Sequence, residues 1–314
     1  MTAIDPRPEV GSTTRRSIPA DQEMRLVAPR RSVRQHVADL WAYRELLRQL
    51  VRRELKVKYK NSVLGFVWSL LNPAFTAAIY YLVFVVFLPN GVPSFHIWLL
   101  AGLLLWQFFS TALVGGTMSV TGNSFLVGKV RFPREVLPLA AVGAALVHLM
   151  LQLAVLFAIV AVSRWTMDWS FFPTAVGAIF TCLVFVAGLA ILLSAVNVYA
   201  RDTQHLLEVA LQIWFWLSAI IVPYVAIGVQ LAKRGINPNL QLLNPIVPLV
   251  LPMQRFIYGR RALAGHASAN GFVPDGSWWW YARNVSIVFV FSCLLLVFAI
   301  RMFDRAEGNF AEVL

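Results

Sequence analysis

The sequence predicts an all-α integral membrane protein: six transmembrane helices, an N-terminal amphipathic interface helix, and extracellular re-entrant helices between spans five and six. Three observations carry this. Of 314 residues, 59% are apolar and 13% charged, against about a quarter charged in a soluble domain. Several unbroken apolar stretches exceed the roughly 18 residues that mark a spanning helix. The 27 lysines and arginines are concentrated in the segments joining those stretches on one side. In a soluble chain the net charge of +12 would suggest nucleic acid; this placement of the charge excludes that partner.

Residues 1–36 are polar, proline-dotted and arginine-rich. They lack the apolar core of a signal peptide and read as a disordered cytoplasmic tail. Residues 37–61 read as the amphipathic helix. Leu40, Tyr43, Leu47, Leu50, Val51 and Leu55 recur every three or four positions, which places them on one helical face. Arg44, Arg48, Arg52, Arg53, Lys56 and Lys58 cover much of the rest. Such a helix is too charged to span and should lie among lipid headgroups; the alternative is a solvated helix packed on a soluble partner.

The six spans are Val63–Leu88, His96–Met118, Leu137–Val162, Thr174–Val198, Leu206–Tyr224 and Tyr281–Met302. Asn72-Pro73 should kink the first, and Pro89, Asn90, Gly91 and Pro93 should turn the chain tightly after it. Leu240–Leu251, broken by Pro245 and Pro248, is too short to cross about 30 Å of hydrocarbon and reads as re-entrant or interfacial. Counted against these spans, 20 of the 27 basic residues fall on one side and 7, among them Arg164, Arg255 and Arg283, on the other. The richer side is cytoplasmic and holds both termini. Residues 62–303 form one membrane domain and 304–314 a cytoplasmic tail. Cys182 and Cys293 lie within apolar stretches, with no partner spacing for zinc or redox chemistry, and read as buried thiols.

Transporters driven by ions tend to bury acids or lysines in mid-membrane. None of the 15 acids sits in the middle of a predicted span, and His148 is the one central ionisable group. On an apolar helix it reads as a packing residue before a proton relay. A voltage sensor would need several arginines in one helix. The segment Gly122–Lys129 imitates a phosphate loop, but it has one residue too many between its glycines and Val130 where Ser or Thr is required. Any ATP energy must then come from another subunit.

The connection Thr121–Pro138 combines Lys129, Arg131, Arg134 and Glu135 with Phe125 and Phe132. Charged and aromatic side chains on a short loop make a docking surface, or merely a basic cytoplasmic turn. Trp106, Phe108 and Phe109 cluster in the second span, and Trp214, Phe215 and Trp216 in the fifth. Aromatic planes match the C–H faces of sugars, or lie at the membrane boundary. Because consecutive residues diverge around a helix, only some of them can line a path.

Arg53 to Trp68, with Leu71-Asn72-Pro73, resembles the opening signature of ABC-2-type polysaccharide-export permeases. The resemblance continues through Lys129–Glu135, Tyr199-Ala200-Arg201-Asp202, Leu243-Asn244-Pro245 and Phe303–Leu314, and departs from the family in the tail at Gly308-Asn309, where a proline is common. It implies a homodimer bound to two separate ABC ATPase subunits, with ATP and Mg on those partners and no cofactor in this chain. It also implies export of polyprenyl-linked polysaccharide of O-antigen, teichoic acid or galactan type across the cytoplasmic membrane. The Arg and Ala bias resembles actinobacterial proteins and points to galactan.

The same resemblance implies ATPase coupling through Lys129, Arg131, Phe132, Pro133, Arg134 and Glu135, with Arg201 and Asp202 as a second contact. Arg52, Arg53, Glu54, Lys56 and Tyr59 belong to the implied interface helix. Asn244–Tyr258 would close the outer mouth. Trp106, Phe109, Trp214, Phe215 and Trp216 are the candidate channel lining. A membrane-embedded glycan- or lipid-processing enzyme is the alternative and would need clustered acids; a selective ion channel would need charged rings.

Overall fold

The structure, a computed structural model, describes residues 41–59, 67–87, 94–129, 132–263, 273–308 and 310. Among them are ten α-helices and no strand. Four helical stretches are long and apolar enough to cross a membrane: Phe95–Met118, Val136–Val162, Trp169–Tyr199 and Trp278–Glu307. The chain is thus a multi-pass membrane protein. These stretches correspond to predicted spans two, three, four and six, the last running about a turn further at each end. The prolines and glycine of the first connection lie outside the described residues.

Helix α1 (Arg44–Tyr59) turns Leu46, Leu47, Leu50 and Val51 inward and leaves Arg48, Arg52, Arg53 and Lys56 exposed. Its apolar stripe is covered by α5, introduced below, rather than left free for lipid or for a soluble partner. Helix α2 (Trp68–Tyr81) continues through Asn72-Pro73 and then widens into a π-helical turn, Leu82–Phe87. Among the described residues, the irregularity of the first span therefore falls about ten residues after the proline.

Helix α3 (Phe95–Met118) is the central one, with sixteen buried residues. A 3-10 turn and the short α4 (Ser124–Lys129) lead from it to α5 (Val136–Val162). Helix α6 (Phe172–Tyr199) opens with Pro173 in its first turn, where a missing N–H costs nothing. It packs along α3 and still more extensively along α10 (Trp278–Glu307). Gly188 makes the second contact possible: a Cβ there would sit 3.2 Å from the Leu296 backbone. Close approach through small residues is how apolar helices associate where no hydrophobic force separates protein from lipid.

The fifth predicted span is corrected. Helix α7 (Thr203–Trp216) has 14 residues, about 21 Å of rise, short of a hydrocarbon core. The chain breaks there because Ser218 turns its hydroxyl back on the Trp214 carbonyl at 2.6 Å, Ala219 takes φ +51°, and Pro223 leads into α8 (Tyr224–Lys233). A 3-10 helix, Pro238–Leu243, then precedes α9 (Val247–Leu263), which contains Pro252. Helical turns cover most of residues 238–263, and α9 packs against α3, α6 and α10.

The interior divides in two. A large apolar core joins α3, α5, α6, α9 and α10. A smaller one gathers Leu50, Val120, Val127, Val136, Ile191, Val198, Phe303 and Phe310. The smaller core matters for function, because it collects at one end of the bundle four segments that are far apart in sequence.

Candidate functional site

That end is built from the start of α5, the last turns of α6 and α10, and α1. Residues 132–135 form the tight connection into α5, with the Val136 N–H bonded to the Pro133 carbonyl at 3.2 Å. Pro133 is buried, Phe132 is half-buried against the smaller core, and Phe125 is exposed. Phe132, read from the sequence as part of a docking loop, is thus turned partly into that core. Glu135 retains only 3% exposure, and its carboxylate lies within 4.8 Å of those of Asp304 and Glu307. Arg134 reaches the end of α10, its Nε 3.5 Å from the Glu307 carboxylate. Arg201 and Asp202 are exposed in the α6–α7 turn. Beside them the Tyr199 hydroxyl donates to the Ala306 carbonyl at 2.8 Å. Lys129 ends α4, and Arg131 lies outside the described residues.

On α1, Gln49, Arg52, Arg53, Lys56 and Val57 line a groove of about 670 Å³. Arg53 hydrogen-bonds the Asn123 side chain, tying α1 to the turn after α3. Asn123 is held in turn by the Ser119 carbonyl at 2.8 Å. Glu54 is half-buried, and for Tyr59 only the backbone is described.

The aromatic residues separate by position. Phe109 is fully buried, stacked on Phe185 at 5.7 Å and edge-on to Trp214 at 5.1 Å. Trp106 is 8% exposed and touches Phe109 and Phe215. Both fill the core of this one chain and present almost no face outward. Trp214 and Phe215 are half-buried, while Trp216 is 62% exposed. Of the five, Trp216 offers the most open ring face.

Sequence reasoning missed two features. Asn244, noted only within a motif, is a junction: its Oδ1 accepts from the Trp214 indole and from the Ile246 N–H, and its Nδ2 donates to Leu217 O and Ser218 Oγ. The run Asn244-Pro245 just after an apolar helix was the available signal. Arg255 was counted with an external loop but is 8% exposed in α9, its guanidinium 4.8 Å over the Phe171 ring. Outside the predicted spans, the charge of Arg255 is thus sheltered by packing that no hydropathy count detects. Around it, the Asp168 N–H and the Trp165 indole donate to the Phe256 and Ile257 carbonyls of α9 at 2.8 and 3.0 Å, and burial pushes the Tyr258 phenol up to about 12.

The comparisons agree with this architecture. The family model described as ABC-2 type transporter matches residues 45–245. The O-antigen export system permease protein RfbA of Myxococcus xanthus is 33% identical over 279 residues, 88% of this chain and 98% of that protein. Two Klebsiella pneumoniae proteins of the same name are each 25% identical over 274 residues, 86% of this chain and 95% of theirs. The match begins at α1 and ends at the Asn244-Pro245 junction, so it takes in every segment that meets at the site, apart from the end of α10. The chain belongs to the ABC-2 type transporter family.

Proposed function

We propose that this chain is the permease subunit of an exporter carrying lipid-linked polysaccharide across the cytoplasmic membrane. A separate ABC ATPase, two copies on a homodimer of this chain, supplies the energy from ATP and Mg. The observation that carries the reading is the convergence, at one end of an apolar bundle, of the 132–135 connection, the Arg201-Asp202 turn and basic α1. Its basic residues support a cytoplasmic location for that end, where it would offer the ATPase a mount. The O-antigen export function named for the relatives supports the cargo class. The stripe Leu206, Val209, Ile213 and Trp216, exposed along α7, suits lipid or a second copy bordering a glycan path. Helices α8 and α9 close the outer mouth in this reading.

The test is reconstitution with an ABC ATPase partner, to be sought in the neighbouring reading frames. Proteoliposomes holding both subunits should move a polyprenyl-linked glycan to the far face only when ATP is hydrolysed. Offering O-antigen, teichoic acid and galactan precursors in parallel identifies the cargo. Transport of none of them by an assembled, hydrolysing complex overturns the reading. The enzyme alternative would call on the trio Glu135, Asp304 and Glu307. Arg134 already engages Glu307, which favours a structural part for that cluster.

A further inference from the structure

The C-terminal end of α10 was read from the sequence as the start of a cytoplasmic tail, and Arg134 as a charge offered to a partner. The geometry assigns both a different part. Arg134 donates from Nη1 to the Glu307 backbone carbonyl at 2.8 Å while its Nε faces the Glu307 carboxylate at 3.5 Å. Its guanidinium lies 5.8 Å from the Phe310 ring centre. One side chain thus satisfies an end carbonyl of α10, meets the negative end of that helix's dipole, and pairs a carboxylate. With 17% of its side chain exposed, little of it is left for another subunit.

The neighbours lock the arrangement. Phe310 is fully buried, edge-on to Phe303 at 5.3 Å and tilted on Tyr199 at 6.0 Å. Tyr199 bonds the Ala306 carbonyl one residue before Glu307. The last turn of α6 and the entry to α5 are therefore fastened to the same helix end. We infer that Arg134 is a positioning residue, and that the end of α10, through Glu307 and Phe310, is the mount on which the coupling connection is held. A push on residues 132–135 is then passed directly into α10 and, through its long contact, into α6. This rests on the proposed coupling role of the 132–135 connection.

The experiment is a charge swap in the full complex: R134E, E307R and the double variant, with the permease alone examined in parallel. The readouts are ATP hydrolysed per glycan exported, ATPase retained on co-purification, and thermal unfolding of the permease. Each single variant should raise ATP per glycan about tenfold, the weight of one charged hydrogen-bonded contact, with the ATPase still bound. The double variant should recover most of that loss, and R134K should recover part. Loss of the ATPase in R134E that the double variant does not restore overturns the inference in favour of direct contact, and leaves the coupling role intact. Independent, additive effects of the two changes on unfolding overturn the pairing itself. Mutual dependence in unfolding, with ATP per glycan unchanged throughout, overturns the coupling role of the connection and this inference with it.

Discussion

Trp214 donates its indole N–H to the Asn244 side-chain oxygen at 2.7 Å, and so joins the end of α7 to the segment that enters α9. Asn244 spends its amide on the carbonyl of Leu217 and the hydroxyl of Ser218, two groups freed where α7 stops. A tryptophan read from sequence as sugar-stacking surface is thus also a donor in a junction that fixes a helix break.

Trp214→Phe should therefore destabilise by about 1 kcal/mol, the net worth of one hydrogen bond, although a flat ring remains. Asn244→Ala should cost more, about 2–3 kcal/mol, since it also strands the polar groups at the end of α7. Trp106→Phe, which retains its contacts with Phe109 and Phe215, should cost least. Thermal unfolding in detergent ranks the three; equal losses for Trp106→Phe and Trp214→Phe would remove the junction from the account.

Phe109 and Trp216 should part company when truncated. Phe109→Ala opens a cavity among Trp106, Phe185 and Trp214 and should cost about 3–5 kcal/mol. Trp216→Ala, at an exposed position, should stay within about 0.5 kcal/mol. If the path for glycan runs along α7, export per folded protein falls for Trp216→Ala while its stability does not. Normal export by that variant would leave Trp216 to lipid.

Two helices end in the same left-handed motif with different residues. After α5, Arg164 (φ 49°) bonds back to Ala161 O and Trp165 to Val160 O; after α8, Gly235 (φ 73°) and Ile236 repeat the pattern on Ala232 and Leu231. A side chain pays about 1–2 kcal/mol for that conformation. Gly235→Val should lose that amount and Arg164→Gly should be neutral or up to about 1 kcal/mol stabilising. Differential scanning of both variants checks the pair of signs.

Gly188→Val should lower stability by about 1–3 kcal/mol, because the α6–α10 contact leaves 3.2 Å between a new Cβ and the Leu296 backbone, and a backbone cannot rotate away as a side chain can. Retention of the wild-type unfolding midpoint would mean that the two helices separate freely.

Purified without a partner, the chain should release no phosphate from ATP. The glycine-lysine segment folds as a 3-10 turn followed by the six-residue α4, without the strand-to-helix loop that cradles phosphates. Hydrolysis above background that survives Lys129→Ala would reveal a site elsewhere in the chain.

Much of this was legible in the residues themselves. Helices α3, α5, α6 and α10 were placed to within a few residues by unbroken apolar length, a property of each segment alone that lipid reads without reference to neighbours. The stripe of α1 was visible for the same reason, since period is local. Membership in the family was carried by short runs such as Lys129–Glu135 and Leu243-Asn244-Pro245, whose spelling survives without any fold in view.

What the sequence left undecided depends on contacts between segments distant along the chain. Apolar length could not tell that α7 stops after Trp216, because Leu217–Val222 is as hydrophobic as a span and its break is made by Ser218, Ala219 and Asn244 together. Composition made Arg134 and Arg255 equivalent charges, yet one caps a helix 173 residues away and the other is buried under Phe171. Nor could alternation of aromatics distinguish enclosed Phe109 from open Trp216. Hydropathy is a property a residue carries with it; burial, capping and pairing are relations, and only the packed tertiary structure sets them.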